Sequence, residues 1–446
     1  MKPQARMAET VETADGGWSY DRIADGRRAF LSPSLATFTA YRRPLALKRG
    51  RGQYVWDIEG RRYLDCLAQN LCISVGYSHP AVLEAVIRQM REIQHVTTMY
   101  YHEAPVALAQ RLTARLPAAD YVVHLVNSGA EAIDLAVMAA RLYTGNHDIL
   151  TLRSAYHGMH FSAMAATGLA ACRQPVPASP GFISVVNPDA YRGPFGADTE
   201  AYVREIAETI DTATPGNVAA MLIEPIQGYG GAIPMPPGYM REAAALVRGA
   251  GGVLIVDEVQ TGFARTGAGF WGFETHGVTP DLIAMSKGIG NGFPIAAVAM
   301  RRDIAQAMTD RKFFNTYGSN PMSCAAALAV LDAIEAEGLQ ANAARIGGRI
   351  AEACGRLADR HEAIGDVRGS GLLLGVDIVS DRGKKTPDGA AAGAIQEGMR
   401  ERGIILGRSG RHSNVLRVNP PLCVDDSDVA HFEQALDETL SALTAA

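Results

Sequence analysis

The sequence predicts an α/β protein with two domains, the larger built on a mostly parallel sheet. Short apolar runs alternate with segments of helical spacing through the middle of the chain, the pattern of strand–helix–strand units. Glycine-rich turns separate them, and 46 glycines among 446 residues exceed the ordinary share of roughly 7%. A composition that is 48% hydrophobic and 20% charged supplies enough apolar surface for more than one core.

Residues 1 to about 35 are polar, with Trp18, Tyr20 and Phe30 placed irregularly, which predicts an arm laid on another surface and ordered by a partner subunit. Tyr54–Asp57 and Tyr63-Leu64-Asp65 flank the turn-like Glu59-Gly60-Arg61-Arg62, as the strands of a hairpin do. From Pro80 the apolar residues Val82, Leu83, Val86 and Met90 take helical spacing, which recurs over 104–116. A strand over 122–126 leads through Asn127-Ser128-Gly129 to a helix over 131–143. Further strands are predicted over 148–152, 218–224, 253–257 and 282–286, with a helix over 239–248. The alanine-rich stretch from 321 to about 357 reads as helical. A strand over 372–378 and a helix from Ser427 complete a smaller domain, with 383–388 as a linker inside it. The domain division is then 1–79 for the arm and part of the small domain, 80–328 for the large domain and 329–446 for the C-terminal small domain.

Charge and composition exclude several classes. Lys and Arg total 42 against 47 Asp and Glu, and no long basic block appears, so nucleic acid is not an expected partner. No apolar run reaches the roughly 18 residues of a membrane span, and the polar start lacks a signal peptide's hydrophobic segment. A soluble, cytoplasmic protein with no membrane partner is the expectation. Cys66, Cys72, Cys172, Cys324, Cys354 and Cys423 form neither a close pair nor a metal-ligand repeat, and His157 and His160 have no zinc-like companions. Reduced cysteines and no metal are expected.

The chemistry concentrates at two strand ends. Val253-Leu254-Ile255-Val256 carries Asp257 and Glu258 to a sheet edge, and a buried acid requires a partner. Thirty positions later Lys287 follows an apolar strand and precedes Gly288-Ile289-Gly290-Asn291-Gly292, a stretch that misses the dinucleotide spacing. A lysine can form an imine with a carbonyl cofactor, glycines let a planar group approach the backbone, and an acid can hold a ring nitrogen protonated. Pyridoxal 5'-phosphate meets all three conditions. Ser128-Gly129-Ala130 at a helix start suits a phosphate, and equally an ordinary helix cap. Tyr156 in Tyr156-His157-Gly158 can cover a ring or simply pack. Thr316 and Ser319 can donate to phosphate or belong to a polar turn. Arg417 can clamp a carboxylate or form a surface ion pair.

In this order, Tyr54–Asp57, Asn127-Ser128-Gly129-Ala130-Glu131-Ala132, Tyr156-His157-Gly158, Glu224-Pro225-Ile226-Gln227-Gly228, Asp257-Glu258-Val259-Gln260-Thr261-Gly262, Ser286-Lys287-Gly288 and Arg417 resemble the class III, or subgroup II, pyridoxal-phosphate aminotransferases. The resemblance runs from about residue 35 to the C-terminus. Gly288-Ile289-Gly290-Asn291-Gly292-Phe293-Pro294 and Phe314-Asn315-Thr316 bring it nearest to the mitochondrial-type alanine–glyoxylate branch. It implies fold type I, with a large, mostly parallel sheet of the seven-stranded type and a smaller α+β domain.

The same resemblance implies roles. Lys287 carries the cofactor and shuttles the proton, Asp257 pairs with the ring nitrogen, Gln260 lies near the phenolic oxygen, and Tyr156 covers the ring. Ser128, Gly129 and Ala130 form the phosphate turn, His157 and Val259 join the cofactor contacts, and Thr316 reaches the phosphate from a neighbouring subunit. Glu224 organises the inner polar network, with Glu258 as a supporting acid. Arg417 binds the substrate carboxylate, and Tyr20, Asn70, Leu71, Cys72 and Tyr229 wall the substrate. A homodimer with shared active sites follows, with a dimer of dimers as a further option. The reaction is transfer of an amino group from a small amino acid such as alanine to glyoxylate or pyruvate, through pyridoxamine phosphate. Two departures matter. Tyr229 stands where ornithine and γ-aminobutyrate relatives carry a glutamate that neutralises the arginine, and Ala130 stands where Thr or Ser is common. The alternatives are an omega-aminotransferase using β-alanine, a medium-sized or aromatic amino acid, or an amine, and, behind it, an aminomutase or racemase.

Overall fold

Seven strands form the central sheet of the computed structural model, which describes residues 17–117 and 120–444. They are β1 (Tyr121–Val126), β2 (Ile149–Leu152), β3 (Phe182–Val185), β4 (Ala220–Ile223), β5 (Val253–Asp257), β6 (Leu282–Met285) and β7 (Ala296–Arg301), in spatial order β1-β7-β6-β5-β4-β2-β3. Only β7 is reversed: it is antiparallel to β6 and β1, and every other pairing is parallel. The sheet is thus mostly parallel, as the alternating pattern predicts.

Parallel strands need crossover connections, so helices cover both faces, and the central strands β4, β6 and β5 up to Val256 are apolar at every position. Alternation then sorts one strand into two cores. Leu254 and Val256 of β5 join Met221, Ile223, Ile283 and Met285 on one side. Val253 and Ile255 join Ala220, Leu222, Leu282 and Ala284 on the other. The helix α1 (Gly129–Thr144) packs small residues, Ala132, Ala136, Ala139 and Ala140, onto this second side, while α2 (Tyr239–Gly249) packs Tyr239, Met240 and Val247 onto the first. Each fully buried aliphatic side chain contributes roughly 1.5–3 kcal/mol. A polar residue at Ile255 would break the α1 side.

The segments outside this sheet draw on both ends of the chain. Leu47–Arg51, Tyr54–Asp57 and Arg62–Asp65 form the expected antiparallel unit, and Ile404–Ile405 adds to it in parallel beside Arg62–Asp65. A C-terminal antiparallel sheet contains β8 (Ile364–Ser370), β9 (Leu373–Asp381), β10 (Gly407–Ser409) and β11 (Val415–Val418), in the order β8-β9-β11-β10. The stretch 383–388 is not a linker. The chain turns at Lys385, which has φ +54°, the Lys384 amide donates to Asp381 Oδ1 at 2.9 Å, and Thr386–Pro387 pairs back onto β9.

The arm expected at the N-terminus lies outside the described residues up to residue 16. From Tyr20 to Phe30 it is a helix capped by Ser19 with no buried residue, and Trp18, Phe30 and Phe38 project into solvent. Among the described residues no helix is long and apolar enough to cross a membrane.

Candidate active site

The site lies where parallel sheets place ligands, beyond the carboxyl ends of the strands. β5 ends at Asp257, and its neighbour β6 delivers Ser286 and Lys287 one and two residues past its end. Both side chains face a cavity of about 350 Å³, whose wall also includes Ser128, Gly129, Ala130, Tyr156, His157, Glu224, Val259 and Gln260. The strand geometry therefore gathers all ten residues expected to meet the cofactor except Thr316.

Asp257 is fixed at both oxygens. His157 Nδ1 lies 2.8 Å from Oδ2, and the Val259 amide donates to Oδ1 at 3.0 Å. The carboxylate makes Nδ1 of the imidazole the donor. His157 Nε2 is buried and has no partner, so the ring is aimed at the acid and not at a second protein group. Lys287 adopts the left-handed region at φ +46°, where a residue with a side chain is held at a cost of about 1–3 kcal/mol. No hydrogen bond or ion pair holds its amine among the described residues. Burial lowers its pKa, with Asp257 acting in the opposite direction.

Two glutamates that are adjacent to these groups in sequence or space divide their work. Glu224, just past β4, accepts the Tyr156 amide on Oε1 and the Gly228 amide on Oε2, each at 3.1 Å. It thereby ties the tyrosine turn to the segment bearing Tyr229. Burial pushes its pKa up to about 7, against His157, which lowers it. Glu258 is not a supporting acid of the cavity. It points away from the cavity and accepts Thr261 Oγ1 at 2.6 Å and the Gly272 and Phe273 amides at 2.9 and 2.8 Å, which closes the loop after β5. Burial pushes it also to about 7.

The turn before α1 is a helix cap that leaves its first amides open. Ser128 Oγ accepts the Glu131 amide at 3.3 Å, and Glu131 Oε2 accepts the Asn127 and Ser128 amides at 2.6 and 3.1 Å, a complete capping box. The first amides of the helix, at Gly129 and Ala130, have no intrahelical acceptor and sit at the positive end of its dipole. A side chain at 129 would approach Val259 to 3.3 Å. One at 158, where φ is +128°, would stand 2.8 Å from the Ala130 methyl. Both glycines keep the cradle open. Thr316 does not line this cavity. Its neighbour Asn315 accepts from Asn127 Nδ2 at 2.8 Å and donates to Glu131 Oε1 at 3.2 Å, which fastens the Thr316 loop beside the turn.

The opposite wall is built on β11. Arg417 is 3% exposed, and Gly375 and Gly407 flank it in register. It donates to Asn70 Oδ1 at 3.2 Å and Gln260 Oε1 at 3.1 Å, its Nε has no partner, and its guanidinium lies 5.6 Å from the Tyr229 ring. Tyr229 in turn packs at 5.3 Å against Tyr156. Among the described residues no carboxylate pairs with Arg417, and burial lowers its pKa to about 10. This is the opposite of a surface ion pair. A side chain at 228 would collide with Gln260 Oε1, so Gly228 lets the glutamine reach Arg417.

Asn70 reaches Arg417 from an unusual backbone. Ala68, Gln69, Asn70 and Leu71 all have positive φ, at 49°, 47°, 59° and 68°, and form one turn of left-handed helix. Asp65 compensates this strain: its buried carboxylate accepts the amides of Leu67, Ala68 and Gln69 at 2.9, 3.0 and 3.2 Å, and the Tyr77 hydroxyl. Sequence reasoning missed Asp65 and the His157–Asp257 bond. The available signal for Asp65 was an acid at a strand end followed by a segment without helical or strand period. Leu71 is buried beside this turn and half-buried Cys72 feels the Lys287 charge, so both stay near the site. Tyr20 does not: its ring stacks under Arg43 at 4.3 Å, beside the N-terminal hairpin.

A buried amine without a counter-ion, a clamped acid, an orphan imidazole nitrogen and an open helix start fit pyridoxal phosphate and define a pyridoxal-phosphate-dependent transferase of fold type I. The chain matches the family described as "Aminotransferase class-III" over residues 38–440 and belongs to it. It is 45% identical to the mitochondrial alanine–glyoxylate aminotransferase 2 homolog 2 of Arabidopsis thaliana, over 96% of this chain and 89% of that protein. It is 36% identical to the human mitochondrial alanine–glyoxylate aminotransferase 2, over 99% and 90%. Among solved structures it is similar to a thermostable (S)-enantioselective omega-transaminase from Thermomicrobium roseum, with TM-score 0.87, 32% identity and coverage of 96% and 99%. The protein is an aminotransferase that works through pyridoxal phosphate. The cytoplasmic expectation is overturned, because both of these relatives are named as mitochondrial. A polar start carries no information on that point.

Proposed function

We propose that this aminotransferase takes its amino group from a small α-amino acid such as alanine and delivers it to glyoxylate or pyruvate. The observation that carries the reading is Arg417, a buried guanidinium held by Asn70 and Gln260 and ion-paired with no carboxylate among the described residues. A buried unpaired charge is costly, and a substrate carboxylate is the partner that relieves it. The likeness to the two alanine–glyoxylate aminotransferases supports the same donor and acceptor.

When bound, pyridoxal phosphate supplies a carbonyl for the donor's amine and a ring that accepts the electron pair left at Cα. Lys287 removes the Cα proton and returns it on the cofactor side. Burial favours its neutral amine, the form that can act as a base. Asp257, oriented by His157, holds the ring nitrogen's proton. The Gly129 and Ala130 amides take the phosphate, and Tyr156 covers the ring. Arg417 orients the carboxylate of donor and acceptor in turn, with Tyr229, Leu71 and Cys72 limiting the room beside it.

Two protomers share the site in this proposal. Thr316 completes the phosphate cradle of the partner, which is supported by its position outside its own cavity. Exposed Tyr100, Tyr101, Phe314 and Tyr317 supply apolar surface for that association. The second reading is an omega-aminotransferase, supported by the likeness to the Thermomicrobium enzyme.

The test is a rapid-mixing screen with L-alanine, β-alanine, ornithine, γ-aminobutyrate and a benzylic amine, following bleaching of the cofactor's visible band. L-Alanine should bleach it fastest, and glyoxylate or pyruvate should restore it. A carboxylate-free amine reacting as fast as alanine would defeat the assignment.

A further inference from the structure

A second cavity, of about 280 Å³, opens between the loop after β3, the strands β8 and β9, and the 410–415 turn before β11. It shares no residue with the cofactor cavity. Four arginines line it, Arg153, Arg192, Arg368 and Arg411, against two aspartates, Asp189 and Asp377. The inner part is already satisfied. Asp377 is fully buried and receives Arg192, Arg368 through Nη2 at 3.0 Å and Asn414 Nδ2 at 2.8 Å. Arg153 and Arg411 differ: both are exposed, and no ion pair or hydrogen bond holds either guanidinium among the described residues. The Asn187 side-chain oxygen is buried in the same wall without a partner. Turned over, that amide presents a donor to the cavity.

We propose that this cavity is a binding site for a compact dianion, a phosphate or a short dicarboxylate, held by Arg153 and Arg411, and that its occupancy changes how the donor is bound. Two free guanidiniums over a wall of net positive charge match the planar, bidentate recognition of carboxylate and phosphate. His412, on the same rim, has its pKa lowered by burial and by Arg411 and Arg192, as a cationic surrounding requires. The route to the active site is short. The Gly410 amide donates to the Tyr229 carbonyl at 3.0 Å, and Arg368 Nε donates to the Gly231 carbonyl at 2.8 Å. A ligand that draws Arg411 toward Arg153 therefore pulls, through the adjoining Gly410, on the segment that presents Tyr229 to Arg417, while Arg368 anchors its other end.

Calorimetric titration of the holoenzyme with inorganic phosphate and, separately, with succinate at constant ionic strength tests the site. One of the two should saturate a single site in wild type and in Arg417→Ala, and bind at least tenfold more weakly to the double variant Arg153→Ala/Arg411→Ala. Saturating dianion should shift the KM for L-alanine at least twofold in wild type and leave it unchanged in the double variant. Both substitutions remove exposed, unpaired side chains, so turnover without dianion should be unaltered. Binding that survives the double substitution, binding lost with Arg417→Ala, or an adventitious ion only, bound without effect on KM, would each overturn the proposal.

Discussion

The two walls of the active cavity are built by different means. The cofactor wall stands on the ends of β4, β5 and β6 and the start of α1, and its acid is paired: Asp257 has His157 and an amide. The donor wall stands on β11 and a left-handed turn, and its cation is unpaired. On the cofactor wall the acid is fixed in place by its neighbours, while the Lys287 amine and His157 Nε2 are left open toward the cavity. The proposed role of receiving and releasing a carboxylate accounts for a cation that no acid pairs on the donor wall.

The comparison breaks most sharply at Lys287. Lys287→Ala should slow amino transfer by roughly 10⁴-fold, because both proton steps lose their carrier. Single-turnover kinetics with L-alanine measures it, and near-normal rates without added amine would remove the lysine from the chemistry. Next, Asp257→Asn should retain cofactor yet slow Cα proton loss on the order of 100-fold, and deuterated alanine should then give a larger isotope effect. His157→Phe should follow the same direction more weakly, with a changed cofactor absorbance, if the imidazole acts through Asp257.

On the donor wall Arg417→Met should lower kcat/KM for carboxylated donors by roughly 10- to 100-fold while leaving benzylic amines less affected. The same variant should gain stability of about 1 kcal/mol in denaturant unfolding, since an unpaired buried charge disappears. A loss of both activity and stability would mean that Arg417 is structural. Asp65→Ala should destabilise the fold by about 3 kcal/mol, because several buried amides lose their acceptor, and should weaken alanine binding more than cofactor binding.

The smallest effect is in pH. Burial raises both Glu224 and Glu258 to about 7, above their unfolded values, so the folded state holds protons that the unfolded state has released. Stability should therefore fall as pH rises from about 4.5 to about 7 and then level off. Denaturant midpoints at pH 5 and pH 7.5 should differ less in Glu258→Gln than in wild type.

Most of the cofactor wall was legible because regular structure put it there. An apolar run of four residues followed by an acid, and another followed by a lysine, have few readings once strands are parallel and buried. The two strands that escaped notice have physical reasons. Phe182–Val185 is a short edge, and Ala296–Arg301 is alanine-rich, which weakens any strand signal. The donor wall was legible only through resemblance, because Arg417, Asn70 and Gln260 come from three distant segments and their meeting depends on tertiary packing. Tyr20 entered the substrate wall by resemblance as well, and within its own protomer it lies beside the N-terminal hairpin. Its place in an irregular arm gave no indication that Arg43 would take its ring.

One turn of opposite hand at 68–71 also has a consequence for variation. Glycine adopts that conformation freely, so Gln69→Gly should relieve the backbone, offset by the lost 3.3 Å hydrogen bond from Gln69 Nε2 to Asp65 Oδ2 and by the extra freedom gained when unfolded. Asn70 has no such licence, because its amide oxygen is what Arg417 meets. Neighbouring positions on one strained loop thus face separate demands, one open to exchange and the other bound to its task, and a library spanning both should sort them apart.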